Sequence, residues 1–151
     1  MRPNNFAIIR KHEISCGHRV YGHEGKCRNL HGHNYGFEIT VATKPDLSGM
    51  ELDHEGRVVD FATLKELLCG WLEREWDHKM LLWDEDPIAK HLKVLGDSDA
   101  VVLLPCNPTA ENLAAHFYMV ANKLLENSAV RVVRIGIWET SKCYAEYARE
   151  Q

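Results

Sequence analysis

Between Cys27 and Tyr35 the chain reads CRNLHGHNY. A thiol is followed four residues later by an imidazole and then, across one glycine, by a second. In an extended segment residues i and i+2 point to the same face, so His31 and His33 can aim both rings at one point. Gly32 puts no side chain on the opposite face. Such pairs are also ordinary polar strand positions, so a metal site needs a third donor. His18 ends the first predicted strand, and the loop that follows returns the chain to His31. If the two strands form a hairpin, His18 lies beside the pair. Three neutral imidazoles with an open position suit a catalytic zinc ion better than a closed structural one. Iron, nickel and copper also suit imidazole by ligand type.

Cys27 has two readings. It could close the site as a fourth ligand, or stand beside the ion as a base or nucleophile. Its flanks, Lys26 and Arg28, favour the thiolate electrostatically. Cys16, two residues before His18, shares its face and reads as a packing residue. Asp77 and His78 follow a predicted helix. A surface turn is the bland reading, but a carboxylate-tuned histidine that reaches Cys27 would be a proton relay. Glu139 ends an apolar strand, in phase with Val133, Ile135 and Ile137. A carboxylate at the end of a buried row needs a partner. That partner is either Lys142 or a ligand with paired N–H donors. His12, His54, His91 and His116 show no partner pattern and read as surface or structural residues; His23 lies in a polar loop.

Elements must position these groups. Residues 6–20 alternate loosely as a strand, and 33–43 alternate strictly, with Tyr35, Phe37, Ile39 and Val41 on one face. The polar stretch between them, with Gly22 and Gly25, is a loop. Residues 44–57, with Pro45, Gly49 and Gly56, read as turns around a short extended piece. Asp60 caps a predicted helix over 61–75, with Leu64, Leu67, Leu68, Trp71, Leu72 and Trp76 at helical spacing. Residues 84–99 are charged and irregular, with a short helix near Ile88–Leu92. AVVLLP is a short strand. Pro108 and Thr109 open a second main helix, with Thr109 as its cap and Leu113, Phe117, Val120, Ala121, Leu124 and Leu125 on its buried side. Strands at 129–139 and 143–148 flank a turn. Two hairpins, each paired with a helix, give an α+β sandwich with one sheet face covered.

The chain has 151 residues, which suits a single domain. A net charge of −4 argues against a nucleic-acid binder. No apolar run approaches the length of a membrane helix, and the first residues are too briefly apolar for a signal peptide. The sequence therefore reads as cytoplasmic. The five cysteines are odd in number, scattered and outside any CxxC pair, so they read as free thiols.

The ordered set of His18, CRNLHGHNY, VVDF before a helix, Asp77-His78, PTAEN and Glu139-Thr140 resembles the 6-pyruvoyl-tetrahydropterin synthase superfamily, which includes the 6-carboxy-tetrahydropterin synthases of queuosine biosynthesis. The match spans nearly the whole chain. The resemblance implies a tunnelling fold: a four-stranded antiparallel sheet with two helices on one face, assembled into a barrel-like trimer and then a hexamer. It implies active sites at subunit interfaces. His18, His31 and His33 would hold Zn2+; Cys27 would be the catalytic thiol, assisted by Asp77 and His78. Glu139 would anchor the pterin ring, with Thr109 near it. The substrate would be 7,8-dihydroneopterin triphosphate, giving 6-carboxy-tetrahydropterin, acetaldehyde and triphosphate. Lys26, Arg28 and Lys142 are candidates for the triphosphate, against a reading as solvated loop charges. The alternatives are a pyruvoyl-forming synthase, a non-catalytic zinc module closed by Cys27, and a zinc hydrolase indifferent to that thiol. Two departures stand out. Ile-Ser-Cys-Gly precedes His18 where relatives have Phe and small alanines, and residues 83–106 are longer than in compact members.

Overall fold

The computed structural model describes residues 6–45, 52–95 and 98–149. Gly49, read above as a turn residue, lies outside them. Two long strands open the chain, β1 (Ala7–His18) and β2 (His31–Thr43), paired antiparallel in one unbroken register from Ala7↔Ala42 to His18↔His31. The alternation in β2 does what its pattern requires. Tyr35, Phe37, Ile39 and Val41 are fully buried, together with Ile14 and Cys16 of β1.

Helix α1 (61–75) is capped by Asp60, whose carboxylate accepts from Ala62 N at 2.8 Å. It begins as an α-helical turn (Phe61–Leu64), widens to a π-helical turn (Lys65–Cys69) and resumes as Gly70–Glu75. Leu64, Leu68, Leu72 and Trp76 recur every fourth residue on its buried side. After it come β3 (Met80–Trp83), α2 (Pro87–Leu95), β4 (Val101–Leu104), α3 (Ala110–Leu124), β5 (Val130–Thr140) and β6 (Cys143–Ala148). On α3, Leu113, Ala114, Phe117, Tyr118 and Ala121 are buried. Phe37 meets Phe117 edge to face at 5.5 Å, one of the aromatic contacts that hold the helices to the sheet.

The sheet corrects one expectation. Among the described residues it has six strands, in the order β4-β3-β1-β2-β5-β6, in place of four. The antiparallel part, β1-β2-β5-β6, is as expected; β3 and β4 extend it through parallel pairs. The cause lies after α1. His78 takes a left-handed backbone conformation (φ 59°), and its N–H donates to Ser15 O at 2.6 Å. Gly17 N–H donates to Lys79 O at 2.9 Å, so the chain is stitched to the edge of β1 and continues as a strand. A parallel return needs a crossover, and α2 supplies it. Both central residues of β3, Leu81 and Leu82, are fully buried, so this strand has no alternating signature.

A second correction concerns β5. Its register slips opposite Thr40/Val41, which leaves Val133 between Arg134 and Val132. Val132 is buried and Val133 only partly so; the inward row is Val130, Val132, Ile135 and Ile137. A bulge adds one residue and reverses the phase. Among the described residues no helix is long and apolar enough to cross a membrane.

Candidate metal centre and active site

The β1–β2 register brings the three predicted imidazoles together. His18 pairs with His31 across the strands, and His33 lies two residues further along β2, opposite Cys16. Ring centroids are 4.5 Å apart for His18–His31, 5.2 Å for His18–His33 and 5.0 Å for His31–His33. One ring nitrogen from each lies within 4.8 Å of the others. Gly32 permits this closeness. A Cβ there would stand 2.9 Å from the Cys16 carbonyl oxygen, so any larger residue would push the strands apart.

Backbone carbonyls fix two of the rings. His18 Nδ1 lies 2.7 Å from Pro108 O, and His31 Nδ1 lies 2.7 Å from Asn29 O. A carbonyl can only accept, so each Nδ1 carries a proton, and in the neutral ring Nε2 is then the nitrogen with the lone pair. This is the tautomer a metal-binding imidazole needs. Burial lowers the affinity of His18 for a second proton, opposed by the Pro108 carbonyl. Burial does the same at His33, opposed by Glu139. Neutral imidazoles are the metal-ready state. The donor set and its tautomers therefore fit zinc.

Glu139 joins this cluster. Its Oε1 stands 3.4 Å from His18 Nε2 and 3.5 Å from His33 Nε2. It does not pair with Lys142. The β5–β6 register jumps from Trp138↔Tyr144 to Thr140↔Cys143, which leaves Glu139 as the extra residue of a bulge. Bulges commonly re-aim side chains at sites.

The sequence reading missed Tyr35 as a site residue, treating it as core. Its ring is core, yet its hydroxyl lies 3.1 Å from His18 Nε2. Burial, reinforced by Glu139, pushes the phenol well above its ordinary range, so it stays protonated. Strand parity held the clue, since Tyr35 is two residues beyond His33 on the same face. The Pro108 carbonyl was equally hidden, because it contributes backbone and comes from 90 residues away. Thr109, next to it, caps α3 by accepting from Asn112 N at 3.3 Å.

The remaining predicted residues lie elsewhere. Cys27 is exposed on a 3-10 turn (Lys26–Arg28) in the β1–β2 loop, outside the convergent imidazole group. Lys26, Arg28 and Lys142 are also exposed. Asp77 accepts from Ser15 N at 2.9 Å through one oxygen and meets His78 Nδ1 at 2.8 Å through the other. Burial pushes the Asp77 carboxyl up, but Ser15 N–H and His78 outweigh it and hold the carboxyl below its usual value. The His78 side chain is 81% exposed. It lines a cavity of about 500 Å³ together with His33 of the triad, Ser15, Cys16, Gly32 and Asn34. Among the described residues no hydrogen bond joins Cys27 to His78. Cys16 is buried, and burial, then Asp77, pushes its thiol up to about 12, which suits packing.

Known proteins resemble this chain in sequence and in fold. A family model described as 6-pyruvoyl tetrahydropterin synthase matches residues 7–150. The 6-carboxy-5,6,7,8-tetrahydropterin synthase of Rickettsia bellii is 38% identical over 138 residues, covering 91% of this chain and 96% of that protein. Among solved structures, an uncharacterised protein from Wolinella succinogenes matches with a TM-score of 0.81 at 20% identity, covering 97% of this chain and 99% of that one. The 6-pyruvoyl tetrahydropterin synthase of Caenorhabditis elegans matches with a TM-score of 0.61 at 22% identity, covering 99% of each chain. These two share the fold. The chain is an enzyme of the 6-pyruvoyl tetrahydropterin synthase family.

Proposed function

We propose that this enzyme converts 7,8-dihydroneopterin triphosphate and water into 6-carboxy-5,6,7,8-tetrahydropterin, acetaldehyde and triphosphate, as a zinc-dependent step of queuosine-type 7-deazaguanine synthesis. The observation that carries the reading is the convergence of His18, His31 and His33, with Glu139 beside His18 and His33, in a chain 38% identical to a protein named for that product. His18, His31 and His33 would hold the ion. Bound there, it would supply Lewis-acid stabilisation of negative charge on a substrate oxygen.

The other roles fall to the chain's own groups. Glu139 accepts hydrogen bonds from the paired N–H donors of the pterin edge. Thr109 stands near that edge, beside the Pro108 carbonyl that orients His18. Cys27 moves protons to and from the substrate side chain, and His78, held by Asp77, relays them. Cys27 is exposed and stands outside the imidazole group, in keeping with a site completed between copies of the chain. A homo-hexamer built from two trimers would provide such interfaces.

Incubating zinc-loaded protein with 7,8-dihydroneopterin triphosphate and identifying products by mass spectrometry tests the reaction. The expected products are 6-carboxy-tetrahydropterin and acetaldehyde. A pyruvoyl pterin without acetaldehyde would replace this reading with triphosphate elimination alone.

A further inference from the structure

We infer that Glu139 is the fourth donor to the metal in the substrate-free protein, closing the centre that the three histidines leave open. The inference rests on the reading of the triad as a metal site, and assigns its remaining position to a residue of the same chain.

Distance supports it first. Around a four-coordinate zinc ion, with metal–nitrogen and metal–oxygen bonds of roughly 2.0–2.2 Å, neighbouring donor atoms stand roughly 3.3–3.5 Å apart. Glu139 Oε1 lies 3.4 Å and 3.5 Å from the Nε2 atoms of His18 and His33. Those separations match the edges of such a polyhedron and are longer than an ordinary hydrogen bond.

Charge supports it second. With Nδ1 of His18 donating to Pro108 O, Nε2 of His18 is an acceptor. The Glu139 carboxylate is an acceptor too. Two lone-pair donors facing each other in a partly buried cluster repel unless a cation or a shared proton lies between them. The Tyr35 hydroxyl, 3.1 Å from His18 Nε2, has a single proton and can satisfy only one acceptor at a time. A cation between the imidazoles and the carboxylate satisfies all of them together.

The backbone supports it third. The bulge at Glu139 gives this carboxylate a place in the fold that ladder pairing would not. Cys27, the other residue that could close the centre, is exposed on its turn, whereas Glu139 stands beside two of the imidazoles.

The test uses cobalt(II), added to metal-stripped wild-type protein and to the Glu139→Gln and Glu139→Asp variants, with folding checked by circular dichroism. Stoichiometry, visible ligand-field spectrum and affinity against a competing chelator are read for each. The wild type is expected to bind about one cobalt per chain in a four-coordinate spectrum. Both variants are expected to keep that stoichiometry through the histidines, with altered bands and affinity about 10-fold or more weaker. The aspartate, one methylene shorter, falls short of the ion. Superimposable spectra and equal affinities would overturn the inference and leave the histidine site standing. A wild type that takes up no cobalt, like a His31→Ala control, would overturn the metal reading itself and this inference with it.

Discussion

The two clusters of candidate chemistry in this chain are built in opposite ways. The histidine triad is anchored inward, with His18 buried and His31 and His33 half-buried. His18 is 1% exposed, its ring is fixed by a carbonyl from across the fold, and its neighbours stand on an unbroken antiparallel pair. Asp77 and His78 are presented outward. The backbone there is stitched to β1 at Ser15, while the His78 ring stays in solvent. Its positive φ costs roughly 1–3 kcal/mol in a non-glycine residue. The fold thus firmly places a histidine whose ring stays exposed, in a cavity that it shares with His33. The triad and Glu139 need only the chain itself.

Breaking the inward cluster should have the largest effect. His31→Ala is expected to reduce bound metal from about one per chain to near zero and turnover to background, with unchanged circular dichroism. Elemental analysis and product assay check both.

The outward cluster should fail differently. Cys27→Ser and His78→Ala are expected to lower kcat by about 10²–10⁴-fold while metal content stays at the wild-type level. Mixing the two inactive variants after dissociation sharpens the contrast. Recovery of activity would mean that thiol and imidazole from different copies meet; mixtures that stay dead would mean they do not.

A stability control outside both clusters comes next. Arg19 Nε donates to the buried Asp86 carboxylate at 2.6 Å, and Asp86 also accepts from Ile88 N at 2.9 Å, capping α2. Asp86→Ala is expected to cost about 2–3 kcal/mol in urea unfolding, with metal affinity unchanged. The hydrogen bond from Arg19 holds the Asp86 carboxyl below its ordinary value of 3.8. Its contribution is therefore complete above that value and is lost as pH falls through the lower native one. The stability gap between wild type and variant should shrink below pH 3.8.

Gly32→Ala sharpens the comparison from within. The clash of a Cβ with the Cys16 carbonyl is expected to cost about 1–3 kcal/mol, and, unlike Asp86→Ala, to weaken metal binding as well. Thermal unfolding and chelator competition read the two effects.

Much of this was legible in the sequence where the pattern is local. The strict alternation of β2 gave its buried face, Asp60 and Thr109 gave the helix starts, and the HxH spacing gave two convergent rings. Each depends on residues within a few positions of one another. What escaped depends on backbone or on phase. β3 has two adjacent buried leucines and no period to detect. The bulge at Val133 reverses the inward row without changing residue type. The hold on His18 comes from the Pro108 carbonyl, which residue type does not encode. Tyr35 was hidden by its own hydrophobicity, because a ring that fits the core masks the hydroxyl it delivers to the site.

The account turns on the triad holding an ion that the reaction requires. The most direct measurement is turnover of 7,8-dihydroneopterin triphosphate by metal-stripped protein, before and after addition of one zinc per chain. The account predicts no product from the stripped protein, and recovery with zinc in the wild type but not in His31→Ala. Equal turnover by stripped and zinc-loaded protein would contradict it.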